Sequence, residues 1–400
     1  MAPHNGLVHL KEYDIKDSNV ELIGSDLDHK VKHASAETEP AWNDGRVGIV
    51  PGLFVWRIED FAVVPIPPAS HGIFYDGDSY IILHSQEIHS RSSTQDPNNH
   101  PKLTHDIYFF LGARTSQDEA GTAAYKTVEL DSFLRGAATQ HRELQARPSA
   151  AFLALFPHLT LRRGGVASGF RHVDSTRTTT HFPLEGKEEE VVTLLRVFRH
   201  QPSSSSGNAG GAAVVVVHEV EPSWRSLDEG DVFVAETAAG KVWVWQGGAS
   251  SPMERARAAQ EGDPVDGAGR LRAERPITGA VAARPSTQGR EERRRRRLFR
   301  LSDEYGELRF GLVKHGADGI SRADLDGSDV FVLDDGGETI WVWEGQRASS
   351  AEKAMWLKVA QAYVRHLQRE GDADEAHLTP IAKVREGYES PAFLQAMEAA

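Results

Sequence analysis

Three stretches of this chain can be laid over one another, and that internal repetition constrains the fold more than any single motif. They read YDGDSYIILHS … LGARTSQDEAGTAAYKTVEL, LDEGDVFVAETAAGKVWVWQGGASSPMERARAAQ and LDGSDVFVLDDGGETIWVWEGQRASSAEKAMWLKVAQAYV. Each passes from an acidic turn into a strand, through a second aromatic-rich strand, to a Gly-containing loop and the opening of a helix. A module repeated three times calls for three similar cores. The length of 400 residues agrees, because one core seldom grows past about 250 to 300 residues.

Alternation and β-branched content pair Asp231 to Ala235 with Val242 to Trp245, and Asp329 to Leu333 with Ile340 to Trp343. In the first copy the partner strand is Asp106 to Leu111, reached through the polar loop Ser90 to Thr104. Helices follow over Gln117 to Leu134, from Pro252, and over Ala351 to Leu367. Strands in mixed order followed by segregated helices predict α+β modules of about 100 residues. QPSSSSGNAGG, residues 201–211, is expected as the tip of a long hairpin between Val191 to Arg199 and Ala213 to Glu221. Residues 261–297, rich in Gly, Pro and Arg and ending in REERRRRR, are expected as an interdomain tether.

A formal charge of -13 argues against nucleic acid as the main partner and makes divalent cations better candidates. Without cysteine there is neither a disulfide scaffold nor a thiolate metal site, which suits a reducing cytoplasm. The N-terminus lacks the apolar core of a signal peptide. The longest apolar run, Ala212 to Val217, is far short of the roughly 20 residues of a membrane helix.

In every copy an Asp opens the first strand and a Glu lies in the first turn of the following helix: Asp78 with Glu119, Asp231 with Glu254, Asp329 with Glu352. The intervals are 41, 23 and 23 residues. Two carboxylates with the carbonyl before each Asp (Gly77, Gly230, Ser328) make a hard oxygen set that suits Ca2+ and disfavours zinc or copper. A second reading stays open. Each Glu also completes an S-x-x-E capping box with Ser116, Ser251 or Ser349, and each Asp could be a turn residue. Recurrence of both acids together favours the cation, which would compensate charge at a strand mouth.

The first helix places Tyr125 and Val128 at i, i+3, off the side formed by Ala120, Ala124 and Leu134. They are either core or a strip for a partner's groove. Arg293 to Arg297 could bind an acidic partner, though a solvated linker is the simpler reading. Eighteen histidines form no compact ligand set, and no nucleophile elbow, Walker loop or dinucleotide fingerprint is present, so an enzyme is not expected.

PGLFVWRIEDFAVVPIP, GIFYDGDSYIILHS, HDIYFFLGARTSQDEAGTAAYKTVELDSFLRG, GGVASGF and GYESPAFLQAM resemble the gelsolin, villin and severin family of calcium-regulated actin-binding proteins. With DSNVELIGSDLDHKVKHASAETEPAW before three repeats, the chain is most similar to the three-domain severin and fragmin type. The resemblance implies three tandem domains, each a central mixed β-sheet flanked by a long and a short helix. Their boundaries fall at 50–175, 180–262 and 298–400, with an N-terminal extension over 1–49 and a linker over 263–297. It also implies filament severing and barbed-end capping in the cytoplasm, by a monomer that binds actin as monomer and filament. Calcium ligands would be Gly77, Asp78, Glu119 and Val166, then Gly230, Asp231 and Glu254, then Ser328, Asp329 and Glu352. A second ion shared with actin would sit at Asp131, Gly136 and Ala138. Tyr125, Val128 and Phe170 would touch actin.

Departures qualify the likeness. The helix from Pro252 gives way after Gln260 to EGDPVDGAGRLRAERP, where the family continues the helix and adds a strand and a short helix, so about a third of the second core is expected to be missing. A non-severing capper or scaffold is therefore the alternative, and a poorly folded product of the gene a third possibility. Of the family's basic phosphoinositide segments only Arg162 and Arg163 remain in LTLRRGG, a thin basis for lipid binding.

Overall fold

A computed structural model describes residues 36–87, 103–166, 180–184, 187–200, 214–261, 269–271, 296–315, 319–336, 339–369 and 379–398. The first repeat supplies strands β1 (Gly52–Glu59), β2 (Ala62–Pro65), β3 (Ile73–Tyr75), β4 (Ser79–Glu87), β5 (Leu103–Leu111), β6 (Ala138–Leu144) and β7 (Leu159–Arg162). The second supplies β8 (Thr180–Leu184), β9 (Lys187–His200), β10 (Val214–Val220), β11 (Val232–Thr237), β12 (Val242–Gln246) and β13 (Gly269–Leu271). The third supplies β14 (Arg297–Ser302), β15 (Arg309–His315), β16 (Val330–Asp334), β17 (Ile340–Glu344) and β18 (Ile381–Arg385). Long helices follow at Gln117–Phe133, Pro252–Glu261 and Ser350–Arg369, and short ones at Ala150–Leu153 and Pro391–Glu398. The fold is α+β. Among the described residues no helix is long and apolar enough to cross a membrane.

The same physical rule builds each module. Successive strand residues point to opposite faces, so a strand with both faces covered must be apolar throughout. In β4, Ile81 and Leu83 enter the cluster under the long helix while Tyr80 and Ile82 enter the one under the short helix. Val330 and Val332 against Phe331 and Leu333 repeat this in β16. In the second module Val232 and Val234 face Ala258 of the long helix, and Phe233 and Ala235 pack with Trp243 and Trp245 on the other side.

The strands combine into two sheets rather than three. One has ten strands in the order β15-β14-β16-β17-β18-β6-β5-β4-β1-β2, joining the third module to the first through the antiparallel pair β6 and β18. The other runs β13-β12-β11-β9-β10-β7-β3, with β8 on β9, so β7 and β3 of the first module extend the second module's sheet. Parallel pairs β5/β6, β12/β13 and β17/β18 occupy equivalent places.

Two expectations about boundaries change. The N-terminal extension was expected to end at 49, yet Trp42 and Val47 lie in the first core, with Trp42 edge-on to Trp56 at 5.9 Å. The second module was expected to stop at 262, but β13 continues its sheet parallel to β12 inside the expected linker. Its core is small rather than open, because Val216 of β10 packs into the first module's cluster and β7 covers its edge. Among the described residues no short helix follows β13. The tip of the β9/β10 hairpin and the arginines Arg293 to Arg295 lie outside the described residues.

Trp42→Ala should lower the stability of the first module by about 3 to 5 kcal/mol, the usual cost of removing a fully buried aromatic ring. Chemical denaturation monitored by tryptophan fluorescence checks this. A loss below about 1 kcal/mol would show that residues before 50 are not part of the core.

Candidate functional site

In all three modules the acidic turn is fastened to the loop that opens the long helix by the same two main-chain hydrogen bonds. Gly112 N–H donates to Asp78 O at 3.0 Å and Arg114 N–H to Asp76 O at 2.7 Å. Gly247 donates to Asp231 O at 2.9 Å and Ala249 to Glu229 O at 2.9 Å. Gly345 donates to Asp329 O at 3.1 Å and Arg347 to Gly327 O at 2.8 Å. A Cβ on Gly112, Gly247 or Gly345 would collide with the carbonyl of Asp76, Glu229 or Gly327, so only glycine permits the approach. This fastening holds each Asp beside the Glu of the helix start.

All six carboxylates are buried, Asp78 completely. Burial raises Asp78, Asp231 and Glu352 above the ordinary carboxylate range. It raises Glu119 to about 7; the Thr115 hydroxyl, donating at 3.0 Å, opposes that rise and the neighbouring Asp78 charge adds to it. Repulsion between the paired acids is felt in every module, at Glu119 from Asp78, at Asp231 from Glu254, and at Glu352 from Asp329.

The capping and cation readings prove compatible in geometry. Ser251 N–H donates to Glu254 Oε2 at 2.6 Å while Glu254 N–H donates to Ser251 Oγ at 3.4 Å, and Ser349 and Glu352 do the same at 3.0 and 3.2 Å. The other oxygens of Glu254 and Glu352 accept from Arg199 N–H and Asp303 N–H. In the first module Ser116 Oγ accepts from Glu119 N–H at 3.3 Å. A carboxylate oxygen has two acceptor directions, so a capping role leaves room for another electrophile.

The sequence-expected residues are brought together as follows. Val166 N–H donates to Asp78 Oδ1 at 2.8 Å, setting the GGV segment against the Asp78–Glu119 pair. Gly165 lies so close that a Cβ there would strike the Asp78 carboxylate. Gly77, Gly230 and Ser328 immediately precede their aspartates in the turn. The side-chain donors are two carboxylates, oxygen alone, which suits a hard divalent ion, and the main-chain carbonyls of the turn are the further oxygens such an ion would need. Among the described residues no three Asp, Glu or His side chains form a metal cluster by themselves, so such an ion would depend on those carbonyls.

Asp131, Gly136 and Ala138 also converge, at the end of the first long helix. Asp131 Oδ1 accepts from Ala138 N–H at 3.1 Å, Oδ2 accepts from Gln140 Nε2 at 2.7 Å, and Asp131 O accepts from Gly136 N–H at 2.7 Å. Here the third module intervenes. Arg385 Nη1 donates to Gly136 O at 3.3 Å, and the Lys383 charge is the chief influence opposing the upward effect of burial on Asp131.

On the same helix Tyr125 is 46% exposed and Val128 half-buried, so this strip is not core. Phe170 lies outside the described residues. Arg162 pairs with Glu219 at 3.5 Å, and Arg163 N–H donates to the same carboxylate.

Sequence reasoning missed three arginines. Arg57, Arg196 and Arg300 sit on the neighbouring strand opposite Tyr80, Phe233 and Phe331, each two residues beyond the Asp. Each guanidinium reaches its aspartate, at 3.5, 2.5 and 2.7 Å respectively. Overlay of the repeats on VWRIED, LLRVFR and LFRLSD would have found them.

The description "Gelsolin repeat" matches residues 60–153, 213–279 and 317–394. The chain is similar to Gelsolin-like protein 1 of Lumbricus terrestris, 35% identical over 98% of this chain and 99% of that protein. It is 34% identical to Gelsolin-like protein 2 of the same organism, over 99% of this chain and 100% of that one. Severin of Echinococcus granulosus is 32% identical over 90% of this chain and 92% of its own length.

Glu119 gives the site a pH signature. In chelator the unfolded chain releases this proton near 4.5 and the folded chain near 7, so the folded state binds more protons between those values. Stability contributed at this position therefore falls as pH rises through that window. Glu119→Gln, neutral in both states, should flatten the fall; calorimetric melting across the window checks it, and parallel curves for both proteins would refute the assignment.

Proposed function

The chain belongs to the gelsolin family, and on that premise we propose that it is a calcium-regulated actin-binding protein that severs filaments and caps their barbed ends. The observation supporting this most is the buried Asp–Glu pair, fastened identically in three modules. Bound calcium would supply positive charge beyond the single arginine beside each aspartate.

In the first module Gly77, Asp78, Glu119 and Val166 would hold the ion, in the second Gly230, Asp231 and Glu254, and in the third Ser328, Asp329 and Glu352. Tyr125 and Val128 offer an apolar strip on a helix that can enter a groove on actin. Asp131, Gly136 and Ala138 would complete a site at the actin surface. Arg385 and Lys383 now stand beside them, so the fused ten-stranded sheet is a closed arrangement that has to part before actin can approach. Ligands shift such an equilibrium only by binding the open form better. The protein would act in the cytoplasm on the actin cytoskeleton, as a monomer. Phosphoinositide binding has thin support, because Glu219 already compensates Arg162.

Capping without severing is the second reading. It draws on the second module, whose β13 has only three residues and whose long helix, among the described residues, contributes Ala258 as its one buried apolar side chain.

Prepolymerised actin mixed with the protein separates these activities. With calcium, filaments should shorten and sediment less, and in chelator they should not; growth arrest without shortening would favour capping alone. Asp78→Ala combined with Glu119→Ala should abolish calcium-stimulated shortening, and full shortening by that variant would reject the role given to the first site.

A further inference from the structure

We propose that Arg57, Arg196 and Arg300 are built-in counter-ions that compete with the divalent cation at the three sites, and that their unequal grip makes the first-module site fill before the other two. The proposal rests on the calcium reading above and deepens it.

The equivalence is geometric. Each arginine lies on the strand paired with the one the aspartate opens, opposite the residue two positions past that aspartate. A guanidinium beside a buried carboxylate supplies the compensation that a bound cation would otherwise give. It also places a positive charge where a second cation would have to come; the aspartate is buried but the guanidinium is about a third exposed, so salt screens part of that repulsion.

The grip differs among modules. Arg196 directs both Nε and Nη2 to Asp231 Oδ2 at 2.5 Å, and its guanidinium lies over the Phe198 ring at 4.8 Å. Arg300 directs Nε and Nη2 to Asp329 Oδ2, both at 2.7 Å, with Nη2 also 3.1 Å from Glu304. Arg57 is turned away: Nε and Nη2 are spent on Glu59, and only Nη1 approaches Asp78, at 3.5 Å. The close hydrogen bonds to Asp78 come from neutral donors, Tyr80 Oη at 3.1 Å and Val166 N–H at 2.8 Å, with the Arg57 charge farther off. Asp78 therefore receives less direct compensation from its arginine than Asp231 and Asp329 receive from theirs.

Calcium titration of the full chain by calorimetry tests this, with melting temperature in chelator as a second readout. Wild type should show a tight class of sites, lost in Asp78→Ala, and a weaker class. Arg196→Gln and Arg300→Gln should each tighten one weak site by about tenfold and lower the chelator melting temperature, with calcium restoring it. Arg57→Gln should change affinity by less than about threefold. Arg196→Lys or Arg300→Lys keeps the charge but loses the two-pronged contact, so calcium affinity should fall between that of wild type and that of the glutamine variant; this keeps the inference falsifiable if a glutamine variant fails to fold. Unchanged or weaker binding in the Arg196 and Arg300 variants, with normal binding by wild type, overturns this inference alone. No calcium heat from wild type overturns the calcium reading as well.

Discussion

Everything in this molecule depends on two main-chain hydrogen bonds per module that fasten a turn to a helix start. They are ordinary bonds of 2.7 to 3.1 Å. Their effect is unusual because they bring together two acids that repel and are largely cut off from water. Burying such groups is costly unless they are paired or hydrogen-bonded. The chain meets that cost locally, with main-chain N–H groups of the serine caps for Glu254 and Glu352, the Thr115 hydroxyl for Glu119, and an arginine for each aspartate. Removing one partner from such a set leaves the other charge in a poor environment, which is costly.

The modules are not independent beads. The first stands between the others: β6 pairs with β18 of the third, and β7 pairs with β10 of the second. That arrangement explains how the second module persists with a short β13 and a small core, since its sheet continues into strands built by the first. At the other seam His141 stacks on Tyr108 and meets Trp341 edge-on, so the junction has packed rings as well as main-chain bonds. A change at one carboxylate pair is thus felt by strands shared with a neighbouring module.

Much of this was legible in sequence where the signal was local. Strand pairs such as Val232–Thr237 with Val242–Gln246, the helix starts at Ser116, Ser251 and Ser349, and the acid pairs all follow from patterns within one repeat. The arginines escaped because loops of different length separate them from their aspartates, by 21, 35 and 29 residues, and only strand register makes them equivalent. Trp42 was hidden because nothing around it has strand or helix period, though it is completely buried. β13, with three residues in a Gly- and Arg-rich stretch, has too little apolar content to announce itself. The seams between modules bring together residues as distant as Gly136 and Arg385, and no local pattern encodes them.

One physical theme links the sites to the seam. At Asp78, Asp231 and Asp329 the compensating cation is a side chain on the adjacent strand of the same module, whereas at Asp131 and Gly136 it comes from Lys383 and Arg385 of another module. Those two cations are themselves anchored by Glu344, at 2.6 Å from Lys383 and 3.7 Å from Arg385. Glu344 ends β17, directly before Gly345 of the third module's fastening loop. The third acid pair and the cover over the first module's helix end are therefore joined by one short piece of backbone. A shift of that loop by a fraction of a turn would move both, because packed strands and paired charges pass from one arrangement to another rather than deforming smoothly.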